Sequence, residues 1–156
     1  MGLFQNVHEE RVRQLNLREP VVCHEDDTVR VAIETMRQHK LGCVFVADQD
    51  RRPQGMFTES MLKQMLVQDP NRLDDPIAKH MADQVPWVKL DDPISYVLNA
   101  MEEKNMRFLC VVDNQGRIAA LTGQKGLMEY VAEHCPGEVL VQRIGGKPYT
   151  EEREGA

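Results

Sequence analysis

"DDTVRVAIETMRQHKLGCVFVADQD", residues 26–50, lies over "DDPISYVLNAMEEKNMRFLCVVDNQ", residues 91–115, at a shift of 65 residues. Asp26 and Asp27 fall on Asp91 and Asp92, Met36 on Met101, Val46 on Val111, and Asp48 on Asp113. Val29, Ile33 and Leu41 meet Ile94, Leu98 and Met106, apolar on apolar. A self-match of this length marks a duplication, and it sets the folding unit before any single motif is read. Just beyond it, "DQDRRPQG" reads as a turn one residue longer than "DNQGRIA", which brings Thr58 over Thr122. Each copy is preceded by a helix-like element and a proline, "RVRQLNLREP" to Pro20 and "PIAKHMADQVP" to Pro86.

Each copy reads as one small unit. A short strand ("VVC" 21–23 or "WVKL" 87–90) precedes an amphipathic helix whose apolar residues (Val29, Ile33, Met36; Ile94, Val97, Leu98, Met101) recur at helical spacing. Asp27 or Thr28 suits the cap of the first helix, and Pro93 suits the first turn of the second. The β-rich runs 41–48 and 107–113 end in turn chemistry, and a further strand then enters a second helix at a threonine. The order is β-α-β-β-α, twice. Neither copy has enough core alone, so the expected fold is α/β of the α+β type, two units packed sheet to sheet with pseudo-twofold symmetry. The expected division is a first repeat with its lead-in helix over 1–68, a linker over 69–76, a second repeat over 77–135 and a tail over 136–156. The tail is Gly- and charge-rich and expected to be partly disordered, with a short strand in "GEVLVQRI" (137–144).

The net charge of −6 and the scatter of Lys and Arg argue against duplex nucleic acid or an anionic membrane as a partner. The N-terminus lacks a signal-peptide pattern, and the longest apolar stretches are far too short to span a bilayer. Cys23, Cys43, Cys110 and Cys135 form no CxxC pair, and three of them sit in strand-like runs, which suits a reducing cytoplasm. His24 beside Cys23 and His134 beside Cys135 lack the further ligands a zinc site needs, so no metal is expected. No nucleophile pairs with a histidine and a carboxylate, and there is no phosphate loop, so no catalysis is expected. The apolar stripes of the two first helices exceed what one small module buries, which predicts a homodimer.

Two tandem β-α-β-β-α units with the "VFVAD" and "CVVD" strand ends, the turn and the Gly-apolar-apolar-Thr junction resemble a CBS-domain pair, or Bateman module, over roughly residues 10–134. The resemblance implies two clefts between the repeats, each built from one copy's threonine junction and the other copy's first strand. It further implies an adenine nucleotide (AMP, ADP or ATP) as a regulatory ligand, no prosthetic group, and a signal passed to a partner. The chain shows no second domain to regulate, so the effector is expected to be a separate protein. The rival reading is a module that binds no ligand and uses the fold to oligomerise and bind proteins.

The family's junction signature is Gly-apolar-x-Thr/Ser-x-Ser/Thr-Asp. Gly55, Thr58 and Ser60 match it in the first copy, with Met61 at the aspartate position. In the second copy only Thr122 matches; Ala119 stands for the glycine and Lys125 for the aspartate. A carboxylate accepts two ribose hydroxyls, a thioether accepts almost nothing and an ammonium only donates, so ribose binding in the family's manner is missing from both clefts. The resemblance implies a stronger cleft of Gly55, Met56, Phe57, Thr58, Ser60 and Met61 with Pro86, Trp87, Val88 and Arg107. The weaker cleft joins Pro20, Val21, Val22 and Cys23 to Gly42, Thr122 and Lys125. For Thr58 and Thr122 a plain helix N-cap is the competing role, for Arg107 a solvated surface arginine, and for Trp87 packing.

Overall fold

The computed structural model describes residues 2–104 and 106–134. Cys135 and the tail 136–156, with its expected strand, lie outside the described residues. Helix α1 (Leu3–Glu9) leads into β1 (Val22–His24), α2 (Val29–His39), β2 (Cys43–Ala47), β3 (Pro53–Thr58) and α3 (Glu59–Gln68). The second repeat follows as β4 (Trp87–Lys89), α4 (Ile94–Lys104), β5 (Phe108–Val112), β6 (Ile118–Gly123) and α5 (Gln124–His134). Both sheets have three strands in chain order, with a parallel first pair and an antiparallel second pair. The expected α+β fold of two β-α-β-β-α repeats is the fold observed.

Strand alternation sorts the core into three layers. Val44 and Val46 of β2 face their own helices with Val29, Ala32, Met36 and Phe57, while Leu109 and Val111 of β5 do the same with Ile94, Val97 and Tyr130. The alternate residues Cys43, Phe45, Ala47, Cys110 and Val112 meet between the sheets, joined by Met56, Ile118 and Leu121. At 65 residues' shift, Cys43 falls on Phe108 and Phe45 on Cys110, so one cysteine and one phenylalanine per sheet exchange places across this layer. Burial pushes the Cys23, Cys43 and Cys110 thiols up to about 12, which keeps them neutral core residues.

The lead-in segments are exchanged between repeats. Val7, Val12 and Leu15 precede the first repeat along the chain but are buried in the core of the second. The Val12 amide donates to the Asp92 carbonyl (2.9 Å), the Ile94 amide donates to the Glu10 carbonyl (3.0 Å), and Arg13 pairs with Asp91. The mirror set is equally complete. Ile77 is buried in the first repeat's core, its amide donates to the Asp27 carbonyl (2.7 Å), the Val29 amide donates to the Asp75 carbonyl (3.0 Å), and Arg30 pairs with Asp74. Each repeat thus closes its core with the segment that introduces the other.

Strand register corrects one alignment made from sequence. Cys43 pairs with Thr58 in the first sheet and Phe108 with Gly123 in the second, and both ladders carry a bulge at the same place, Val46/Ala47 and Val111/Val112. The two turns therefore have equal length, and the 65-residue shift continues unbroken through the junction. Thr58 corresponds to Gly123, Phe57 to Thr122, Ser60 to Lys125 and Met61 to Gly126. The shared threonine was a coincidence of type at neighbouring positions.

Candidate functional site

Two cavities open where the strand-to-helix junctions meet the other repeat. The first, about 550 Å³, is lined by Met56, Thr58, Glu59, Ser60, Met61 and Lys63 from its own junction, Gly42, Ala82 and Gln84, and Lys104, Met106, Arg107 and Phe108 from the second repeat. The second, about 350 Å³, is lined by Leu121 through Gly126, Arg107 and Phe108, with Asn16, Arg18 and the stretch Lys40–Gly42. Gly42, Arg107 and Phe108 border both. Arg107 is exposed, and its guanidinium stands 5.9 Å from the Phe108 ring centroid, on the wall shared by the two spaces.

Of the residues singled out from sequence, Met56, Thr58, Ser60, Met61 and Arg107 come together in the larger cavity. Gly42, Thr122 and Lys125 come together in the smaller one, again with Arg107. Gly55, Phe57, Trp87 and Val88 line neither, and nor do Pro20, Val21, Val22 and Cys23. Pro86 lines a separate hollow with Gln84, Val85, Lys104 and Met106. The reason is sheet order. β1 and β4 lie on the edges opposite the junction strands, across β2 and β5, and Val88 and Cys23 are buried in the helix-facing cores. The chain that reaches each cavity is the segment just before the first strand. Arg18 pairs through its backbone with Leu121 (both bonds 3.0 Å), and Ala82 with Met56 (3.0 and 2.9 Å). Nothing in the sequence marks Arg18 or Ala82 as a cleft residue, because an isolated bridge carries no periodic signal.

Thr58 caps α3: its hydroxyl accepts from the Met61 amide at 3.3 Å. That leaves the hydroxyl proton free to donate elsewhere. Gly55 is buried, and an added methyl would meet the Met81 sulfur and, at 2.7 Å, the Ala82 carbonyl, so this glycine admits the neighbouring segment rather than a ligand. At the other junction, Gly123 stands where Thr58 does, and an added methyl would run into the Arg107 carbonyl. Thr122 sits where Phe57 does, 3% exposed, and its Oγ1 has no hydrogen-bond partner. A methyl on Gly126 would stand 2.9 Å from that oxygen.

The charge of the two linings differs. Lys63, Lys104 and Arg107 share the larger cavity with Glu59. Arg18, Lys40, Arg107 and Lys125 line the smaller one with no carboxylate among them, in a chain of net charge −6. None of these four cations forms an ion pair among the described residues. Among the described residues no group of three or more His, Cys, Asp or Glu side chains could hold a metal ion. No helix of the described residues is long and apolar enough to cross a membrane.

Comparison with known proteins agrees with this architecture. The chain is 28% identical over 124 residues to hypoxic response protein 1 of Mycobacterium tuberculosis, covering 77% of this chain and 81% of that protein. A solved structure of Hypoxic Response Protein I, which holds two coordinated zinc ions, aligns with a TM-score of 0.66 at 20% identity over 77% of this chain and 98% of that one. A CBS domain protein of Pyrobaculum aerophilum complexed with AMP gives a TM-score of 0.69 at 22% identity, over 76% and 90% of the two chains. The CBS domain pair of protein MJ0100, in complex with 5′-methylthioadenosine and S-adenosyl-L-methionine, gives 0.68 at 19% identity, over 78% and 98%. The family profile described as the CBS domain matches twice, at residues 12–67 and 77–133, each match running from a lead-in segment to a second helix. With both repeats matched and the tandem fold in place, the chain belongs to the CBS domain family.

Proposed function

We propose that this chain is a regulatory module that binds an adenine nucleotide between its repeats and signals its occupancy to a separate protein. The observation that carries the reading is the convergence of both junctions on Arg107, which borders both cavities beside the starts of two helices. A charge-assisted contact between this guanidinium and a phosphate is worth about 1.5–3 kcal/mol. Helix starts offer free amides and a favourable dipole to the same group. Fold neighbours crystallised with AMP, 5′-methylthioadenosine and S-adenosyl-L-methionine support an adenosine-bearing ligand. The nucleoside belongs in the larger cavity, where Met56, Met61, Met106 and Phe108 supply apolar surface and Thr58 and Ser60 supply hydroxyls. Signalling would run through the exchanged lead-ins: Arg18 and Ala82 each tie one repeat's cavity wall to a segment that is anchored in that repeat's core and continues into the first strand of the other.

A second reading, a CBS pair that only associates with itself or with other proteins, is favoured by Met61 and Gly126 at the positions where the family's aspartate binds ribose. The exposed apolar side chains Phe4, Tyr96 and Leu98 point the same way and fit a homodimer. Thermal melting with AMP, ADP, ATP and S-adenosylmethionine separates the two. A ligand at one hundred times its Kd adds about 2.7 kcal/mol and raises the midpoint by several degrees. An unchanged midpoint with all four ligands rejects nucleotide sensing in favour of the association module.

A further inference from the structure

The smaller cavity has lost every residue of the nucleoside-binding junction, yet it gathers four cations and no carboxylate. We propose that it receives the phosphate chain of a nucleoside di- or triphosphate whose nucleoside occupies the larger cavity, so that one ligand spans both spaces. The proposal rests on the adenine-nucleotide reading above and names which nucleotides that site selects.

Four observations converge. Arg18, Lys40, Arg107 and Lys125 line the cavity without a single carboxylate. All four residues are exposed, and four like charges around one cleft attract a polyanion more strongly than a singly phosphorylated ligand. Next, the Thr122 hydroxyl is buried without a hydrogen-bond partner, a cost that an acceptor oxygen brought to it would relieve. Gly126, by lacking a side chain, makes room for that hydroxyl, since a methyl there would stand 2.9 Å from its oxygen; its counterpart Met61 carries a full side chain packed against the first core.

The third observation is the start of α5. Its counterpart α3 is capped by the Thr58 hydroxyl, but the residue before α5 is Gly123, which has no side chain to cap with. The first-turn amides of this 11-residue helix are therefore left to whatever fills the cavity. Finally, Gly42, Arg107 and Phe108 border both cavities, so a chain of phosphates leaving the larger space passes the Arg107 guanidinium on its way into the smaller one.

Calorimetry on the full chain, without divalent cations, tests this with adenosine, AMP, ATP and inorganic tripolyphosphate. The expected result is one ATP per chain, bound at least tenfold more tightly than AMP, with tripolyphosphate binding and displacing ATP. Lys125→Ala should weaken ATP and tripolyphosphate about tenfold and leave AMP unchanged. Thr122→Val, which keeps the side-chain shape, should weaken ATP severalfold and likewise spare AMP. Equal affinity for AMP and ATP, or two ATP per chain, overturns the spanning ligand while leaving the adenine reading intact. Tripolyphosphate binding without any adenine compound overturns both, and silence from tripolyphosphate overturns the polyphosphate cavity whatever the nucleotides do.

Discussion

At one junction Phe57 is buried in the helix-facing core and Met61 packs against it while lining the larger cavity; at the equivalent positions of the other stand Thr122 and Gly126, which line the smaller one. The frames around them are alike: the same strand order, the same bulge, the same reciprocal bonds from the lead-in segments. Two bulky apolar side chains at one junction are thus replaced by a hydroxyl and by no side chain at the other. Duplication conserved the backbone and freed each junction to acquire its own chemistry. The capping residue diverged in the same way. Thr58 holds the start of α3 with a side-chain bond, while Gly123 allows strand β6 to approach the Arg107 carbonyl with no room for a methyl.

Filling or emptying these positions should break the comparison most strongly at Phe57, which is fully buried. Phe57→Ala leaves a large void in the first core and should cost about 3–5 kcal/mol, read as a lowered urea midpoint at unchanged slope. An effect under 1 kcal/mol would mean that Phe57 does not fill the first core. Next come the two glycines, which admit different neighbours. Gly123→Ala sets a methyl against the Arg107 carbonyl and Gly55→Ala against the Ala82 carbonyl, so each should cost about 1–3 kcal/mol. Were either tolerated without loss, the close backbone approach at that glycine would need revision.

The threonines supply the smallest and most telling contrast. Thr58→Ala removes a helix cap and should lose about 1 kcal/mol. Thr122→Val removes a buried hydroxyl that has no partner, so the unliganded protein should be unchanged or up to about 1 kcal/mol more stable. Opposite signs on thermal melting distinguish a cap from a waiting ligand contact; equal losses would make both threonines caps.

Much of this fold was legible in the chain because a 65-residue period constrains two units at once, and helical and alternating apolar patterns then assign each element. The junction itself was misread by one residue. Matching Thr58 to Thr122 set identity of type above register, although Asp48 and Asp113 anchor turns of equal length. In both turns the aspartate Oδ1 accepts amides two and four residues on, from Asp50 and Arg52 in one and from Gln115 and Arg117 in the other. Arg51 at φ 64° occupies the left-handed place that Gly116 fills at φ 79°, so the equivalence was also hidden by an arginine in a glycine's conformation. The carbonyl and guanidinium of Arg51 bond to the Ile118 amide and carbonyl of the other repeat, each at 2.9 Å, which holds it there. Pro53, the counterpart of Ile118, has no amide to return that bond.

The exchange of lead-in segments was not legible, because Val12 and Ile77 are apolar residues that suit either core and only the pseudo-twofold axis decides between them. The cleft contributions of Asn16, Arg18, Lys40 and Gln84 follow from that exchange and from chain ends of helices, where no repeating pattern points inward.

A crystal structure of the chain with ATP tests the inequality of the two junctions most directly. One nucleotide per chain is expected, its adenosine beside Met56, Thr58 and Ser60, its α-phosphate near Arg107, and its terminal phosphates within hydrogen-bond distance of Thr122 Oγ1 and Lys125. Two nucleotides related by the pseudo-twofold axis, or one whose adenosine lies against Thr122 and Gly126, would contradict it.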